Sequence, residues 1–84
     1  MVDWLNAQAA AGFTTFIICR RFSNLERFLH LLDPYGVRPT AIEQMADAVF
    51  GPGRIYLICG IIQSGFIWSE AGVAVISDQE GHGI

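Results

Sequence analysis

The chain has 84 residues, of which 52% are hydrophobic and 15% are charged, and its formal net charge is −3. This length suits one compact domain over residues 1–84, and the hydrophobic content excludes intrinsic disorder. The cations are five arginines and no lysine, and the pI of about 5.0 argues against a nucleic-acid partner. No basic and apolar leader opens the sequence, so we expect no signal peptide.

A helix and a strand are predicted at the start of the chain. Residues 2–11 predict a short helix that packs through Trp4 and Leu5 and ends at Gly12. The run FTTFIIC at residues 13–19 is apolar, β-branched and aromatic, which is typical of a buried strand. Because both faces of this strand are apolar, we expect it in the interior of a sheet.

Two capping-box patterns predict a helical pair in the middle of the chain. Residues 23–26 (SNLE) form the first box, and the helix after it is expected to end at Leu32, before a proline. Residues 40–43 (TAIE) form the second box, and its helix is expected to end at Gly51.

The last third of the chain has the pattern of three strands. These strands are predicted at residues 54–62, 66–69 and 73–77, with glycine-containing turns at 63–65 and 70–72. The predicted fold is therefore an α+β two-layer sandwich in the order α-β-α-α-β-β-β. We expect a mainly antiparallel sheet, with the last three strands as a meander, covered by helices on one face.

The two cysteines, Cys19 and Cys59, lie in apolar strand-like runs. Two cysteines are too few for a disulfide scaffold, so we expect buried free thiols and a reduced, cytoplasmic setting.

A membrane-associated protein is one alternative, and it rests on residues 55–76. The charge-free run at 55–69 is shorter than a bilayer span, and extending it includes Glu70. No membrane partner is therefore expected.

A candidate anion site follows the first strand. Arg20 and Arg21 precede Ser23 at a predicted helix start, and Arg27 lies one turn later. Guanidinium groups and free helix amides bind phosphates, carboxylates or acidic partner surfaces.

Metal, cofactor and catalytic motifs are not found in the sequence. His30 and His82 are the only histidines, and neither has a ligand at metal-site spacing. We therefore expect no metal, no cofactor and no enzyme activity. The predicted helix after residue 40 carries Glu43 and Asp47 but no base-reading cation, which argues against DNA binding.

Large apolar side chains are abundant for so small a domain, so some of them must be exposed or covered by a partner. Aromatic residues near turns, together with arginine, are typical of protein interfaces. The candidate partner-binding or anion-binding residues are Arg20, Arg21, Phe22, Ser23, Arg27, Tyr35 and Trp68.

These observations predict a small non-enzymatic protein-binding module. It would be an inhibitor or accessory protein of the phage or mobile-element type, such as an anti-defence protein, or it would bind a second copy of itself. The alternative is a homo-oligomer that senses an anion or small molecule through Arg20, Arg21 and Ser23.

Overall fold

A computed structural model describes residues 2–62 and 65–78 of the chain. The helices and strands in these ranges are α1 (Val2–Ala10), β1 (Thr14–Cys19), α2 (Phe22–Leu32), β2 (Thr40–Ile42), β3 (Ile55–Cys59), β4 (Phe66–Trp68) and β5 (Val73–Ser77). Short 3-10 turns lie at Asp33–Tyr35, Met45–Asp47 and Ser69–Ala71. The chain is thus a mixed α/β domain, in agreement with the coarse prediction.

The strands form one sheet in the order β2-β3-β1-β5-β4. All neighbouring pairs are parallel except β4 with β5, which is antiparallel. The expected antiparallel meander is therefore wrong, because β1 inserts between β3 and β5 and separates them. Residues 60–72 make the crossover between these two parallel strands, and β4 is formed within it. Parallel strands need such a long connection, whereas the antiparallel strands of a meander are joined by tight turns.

The interior position predicted for β1 is confirmed. Its six residues are all buried, and it has a parallel strand on each side. Continuous apolar runs of this kind are typical of parallel sheets that are covered on both faces.

Both helices pack on the same face of the sheet, which we call the helix face. Leu5 of α1 and Leu25, Phe28 and Leu32 of α2 lie in one buried cluster with Leu57 and other alternate strand residues. The spacing of the α2 residues follows the helical repeat, so one stripe of that helix contacts the sheet. The two helices of the described residues therefore cover a single face, whereas the segment of the third predicted helix packs on the opposite face.

The opposite face, which we call the open face, is covered by irregular chain. Phe16, Ile18, Tyr56 and Ile58 form its buried cluster with residues of β5, and Ala48 packs against that cluster. The Phe50 ring lies on the Phe16 ring, with their centroids 5.7 Å apart.

The helix predicted after residue 40 is wrong. Residues 40–42 form β2 instead, and Ile42 aligns with Ile58 of β3 and packs on the open face. Only a 3-10 turn at Met45–Asp47 remains of the helical pattern. Strand pairing in the tertiary structure overrides the local capping signal, which is a weak determinant by itself.

The remaining boundaries differ from the predictions by a few residues at most. Helix α2 begins at Phe22, with Arg21 as its N-cap and no capping bond from a side chain, so the first capping box is also wrong. The end of α2 at Leu32 is confirmed. Gly12 and Gly72 have φ values of +85° and +67°, which explains why glycine stands after α1 and before β5.

Candidate functional site

Three parallel strands end together at the carboxyl edge of the sheet. Strand β1 ends at Cys19, β3 ends at Cys59, and β5 ends at Ser77, which is followed by Asp78. Open parallel α/β sheets bind their ligands at this edge, where loops and helix N-termini converge. The edge is therefore the first place to look for a site.

Asp78 is the buried charged group of this edge, with 8% of its surface exposed. Its Oδ2 accepts hydrogen bonds from Asn24 Nδ2 at 2.8 Å and from the Arg20 backbone N–H at 3.4 Å. Its Oδ1 is buried and has no hydrogen-bond partner within residues 2–62 and 65–78. The carboxylate thus lies at the first turn of α2, where the helix dipole favours a negative charge.

The structure brings the candidate arginine residues to this same edge. Arg20 and Arg21 join β1 to α2, Ser23 lies in the first turn, and Arg27 lies in the next. These four side chains are exposed, as is that of Phe22. Because Asp78 already places a carboxylate beside the start of α2, an external anion there would meet a like charge. Anion binding stays a prediction, and this geometry weakens it.

Tyr35 and Trp68, the other two candidate residues, lie away from the arginine residues. Tyr35 is in the 3-10 turn at the far end of α2, and Trp68 ends the edge strand β4. Each side chain is 59% exposed. The seven predicted site residues therefore do not form one surface.

The two cysteines also meet at the carboxyl edge. Cys19 and Cys59 are direct partners in the register of β1 and β3. Cys19 is buried as predicted, whereas Cys59 is exposed, which corrects the expectation of two buried thiols. Burial, with smaller contributions from the neighbouring Asp78 carboxylate and from Cys59, raises the pKa of the Cys19 thiol to about 12.

A second candidate region lies on β4, the outermost strand of the sheet. All three of its residues are large and apolar, and Phe66, Ile67 and Trp68 are 52%, 51% and 59% exposed. The outer side of this strand carries backbone donors and acceptors that no strand of the described sheet pairs. Phe66 and Ile67 were absent from the sequence candidates because an apolar triplet is typical of a buried strand.

The pairing of strands shows which residues continue this apolar region across the open face. Phe66 aligns with Val75, and Val75 aligns with Phe16, on which the Phe50 ring lies. Phe50 is 54% exposed. Residues two strands apart on one face are separated by about 10 Å, so the Phe16 and Phe50 pair lies on the same face as Phe66 and two strands away from it. We call Phe50, Phe66, Ile67 and Trp68 the β4 surface.

An open pocket adjoins the β4 surface on the helix side. Its volume is about 190 Å³, and it is lined by Trp4, Gly65, Phe66, Ile67, Val75 and Ile76. The lining is mostly apolar, so the pocket suits an aliphatic or aromatic side chain of a partner better than a charged ligand.

The described residues contain no group of three metal-ligating side chains. His30 is an exposed residue of α2, and His82 lies outside the described ranges. Residues 55–76 include β3 and β4, and no helix in the described part of the chain is long and apolar enough to cross a bilayer.

Residues 17–80, about three quarters of the chain, match the model of a protein family described as "MFD, D3 domain". The match begins within β1 and continues past β5, so it includes the second half of β1 and the whole of β2, β3, β4 and β5. No curated protein and no solved structure matches the chain.

Proposed function

The chain belongs to the MFD D3 domain family, and from this premise we propose that it is a non-catalytic protein-binding domain that docks on a protein partner through the β4 surface. The observation that carries the proposal is the exposure of Phe66, Ile67 and Trp68 on a sheet edge that no other strand of residues 2–62 and 65–78 pairs. Edges of this kind bind other chains unless charges, proline or a covering segment protect them. Here none of the three strand residues is charged or proline.

The geometry of β4 favours an extended partner segment. A strand added to this edge would continue the backbone ladder, and its apolar side chains would meet those of β4 on both faces of the sheet. Phe66 and Trp68 lie on the open face because they align with Val75 and Val73, while Ile67 lies on the helix face. We therefore expect apolar residues at alternating positions in the partner.

The charge of the chain favours a basic rim on that partner. Residues 39–84 carry a net charge of −4, whereas residues 1–38 carry +1. Glu70, which follows β4, is exposed. Lysine or arginine flanking the apolar segment would complement these charges and increase the association rate.

The family description is consistent with a binding domain. "D3" denotes one domain in a series, and the family refers to the transcription-repair coupling factor. A small domain in such a series has neighbouring domains and partners to contact. The narrower prediction of an inhibitor from a phage or mobile element stays a prediction.

The groups at the carboxyl edge support a non-catalytic role. The Cys19 thiol is buried and its pKa is raised, so it is a poor nucleophile near neutral pH. The Asp78 carboxylate accepts bonds from Asn24 and the Arg20 amide, which orient it toward α2. This arrangement stabilises the start of the helix, whereas a general base would need access to a substrate proton.

Photo-crosslinking in the native host tests the proposal. A benzophenone amino acid is placed at position 68 in the full-length protein, and crosslinked peptides are identified by mass spectrometry. We expect one dominant partner segment with alternating apolar residues and flanking lysine or arginine. Position 35 is the matched control, because Tyr35 and Trp68 are both 59% exposed.

Binding of the purified partner segment completes the test. We expect Trp68→Ser and Ile67→Lys to weaken binding by at least about tenfold, as for an interface hot spot, and Tyr35→Ser to leave it within about twofold. Equal crosslinking from positions 35 and 68 would contradict the proposal. Crosslinks only to a second copy of the chain would replace it with a homo-oligomer.

A further inference from the structure

The two cysteines are the only thiols in the sequence, and the fold places them side by side. They are separated by 40 positions in the chain, yet they are direct partners at the ends of two neighbouring parallel strands. Such partners point to the same face of the sheet. The pairing is therefore a product of the tertiary structure, and the docking function does not use it.

The spacing of the strands suits a bond between these two side chains. Neighbouring strands lie about 4.8 Å apart, and disulfides join residues whose Cα atoms are about 4.4–6.8 Å apart. The Gly60 N–H donates a hydrogen bond to the Cys19 carbonyl oxygen at 2.9 Å, which holds the two strand ends together. Only side-chain rotation and a small backbone adjustment are then needed for bonding.

The two thiols differ sharply in access. Cys59 is exposed, whereas Cys19 is 0% exposed and lies in the helix-face cluster with Leu25 and Phe28. A small disulfide in solution can therefore reach Cys59 directly, and it cannot reach Cys19. Cys19 can be reached only by a sulfur already attached to its strand partner.

We propose that Cys59 is a site of thiol–disulfide exchange and that Cys19 is its resolving partner. The Cys59 thiolate attacks one sulfur of a low-molecular-weight disulfide such as oxidised glutathione. A Cys59–glutathione bond forms, and the first glutathione leaves as a thiolate. The Cys19 thiolate then attacks Cys59 Sγ, which forms the Cys19–Cys59 disulfide and releases the second glutathione. The protein loses two electrons and two protons, and oxidised glutathione accepts them as two molecules of reduced glutathione.

The surroundings of Cys19 make the second step slow near neutral pH. Burial and the nearby Asp78 and Cys59 raise the pKa of Cys19 to about 12. The guanidinium groups of Arg20 and Arg21, which follow Cys19 in the chain, are exposed to solvent. Since only the thiolate attacks, the rate of the second step rises about tenfold per pH unit below that pKa. The mixed disulfide on Cys59 therefore accumulates at pH 7 and converts to the internal disulfide faster at pH 9.

Mass spectrometry of the intact chain after incubation with oxidised glutathione tests this order of events. At pH 7 we expect first the mass of one added glutathionyl group, and later a mass lower by two hydrogen atoms than that of the reduced chain. At pH 9 the conversion of the first species to the second is about a hundredfold faster, because two pH units raise the Cys19 thiolate fraction about tenfold each. Tryptophan fluorescence recorded in parallel verifies that the chain stays folded.

Two variants separate the roles of the cysteines. Cys19→Ala is expected to keep the glutathionyl group on Cys59 and never to form the internal disulfide. Cys59→Ser is expected to react at least about tenfold more slowly than the unmodified sequence, because the remaining thiol is buried. The proposal is overturned if Cys59→Ser reacts at the original rate. It is also overturned if the original chain retains its glutathionyl group at pH 9 and forms no internal disulfide.

Discussion

The helix face and the open face are built from alternate residues of the same strands, but they are covered by different kinds of chain. On the helix face, α1 and α2 contribute Leu5, Leu25 and Phe28 to a fully buried cluster. On the open face, irregular residues around Ala48 and Phe50 cover the strands. Backbone groups in the helices bond within the helix, whereas irregular chain needs partners elsewhere.

Tyr56 shows how the open face provides such partners. Its hydroxyl donates a hydrogen bond to the Val49 carbonyl oxygen at 2.8 Å and accepts one from the Val49 N–H at 3.0 Å. The Thr14 hydroxyl similarly exchanges bonds with the backbone of Gly51, at 3.0 and 2.9 Å. The irregular cover is thus held at a few points and leaves Val49 and Phe50 exposed. A face covered in this way retains exposed apolar surface.

Truncation of one core residue on each face is expected to have the largest effect. Leu57 on the helix face and Phe16 on the open face are both 0% exposed. We expect Leu57→Ala to lower the free energy of unfolding by about 3 kcal/mol and Phe16→Ala by about 4 kcal/mol, through lost burial and cavity formation. Urea denaturation measures both values. A loss below about 1 kcal/mol for Phe16→Ala would mean that the open face is not a true core.

The free energy of unfolding should decrease at alkaline pH because of the buried Cys19 thiol on the helix face. Burial in the folded chain raises the pKa of Cys19 to about 12, whereas the ordinary pKa of a cysteine thiol is 9.0. Between these values the unfolded chain binds fewer protons than the folded chain, so stability falls as pH rises. We expect a slope of about 1 kcal/mol per pH unit from pH 9 to 11.

Unfolding in urea at several pH values measures that slope. The Cys19→Ala variant should be less stable at pH 7 but should lack most of the decline above pH 9. Cys59→Ser is the control, because its decline should resemble that of the original chain. An unchanged slope in Cys19→Ala would assign the decline to other groups.

Removal of the Tyr56 hydroxyl should test whether its hydrogen bonds fix the irregular segment that covers the open face. Tyr56→Phe removes both hydrogen bonds to Val49 and leaves its amide without that partner. We expect a loss of about 1–2 kcal/mol and faster hydrogen exchange at the Val49 amide. Tyr35→Phe is the control, because Tyr35 is exposed and its loss should be within about 0.5 kcal/mol. Equal effects of the two variants would show that the Tyr56 hydroxyl does not anchor the cover.

The smallest effect on stability is expected at the β4 surface. Trp68→Ser removes a side chain that is already 59% exposed, so the free energy of unfolding should change by about 0.5 kcal/mol or less in thermal or urea unfolding. The same variant should lose partner binding. A large loss of stability would indicate that Trp68 belongs to the core. Tyr35→Ser would then no longer be a suitable control for Trp68→Ser in the binding experiment.

Strong local patterns were sufficient to predict several elements. The apolar run ending at Cys19, the proline after Leu32 and the glycine before Val73 placed β1, the end of α2 and the start of β5 correctly. Each of these residue patterns determines the backbone conformation of residues close to it in the chain. The capping box at residues 40–43 acts locally as well, but it was overridden when Ile42 paired with Ile58 across the sheet.

The candidate site was harder to predict because its members come from distant parts of the chain. The arginine pair was visible as adjacent residues, but Asp78 and Cys59 reach it only through the parallel pairing of β1 with β5 and β3. Likewise, the apolar sequence of Phe66–Trp68 is typical of a buried strand. Only the order of strands in the sheet shows that β4 lies at an edge.

The sequence alone determined a mixed α/β domain with a buried first strand and an excess of apolar side chains, because composition and local periodicity carry that information. The tertiary structure decided that the sheet is mainly parallel, that Cys59 lies beside Cys19, and that the β4 surface is exposed. These features depend on which strands become neighbours, and the choice of neighbours follows from long-range burial that no local window of sequence contains.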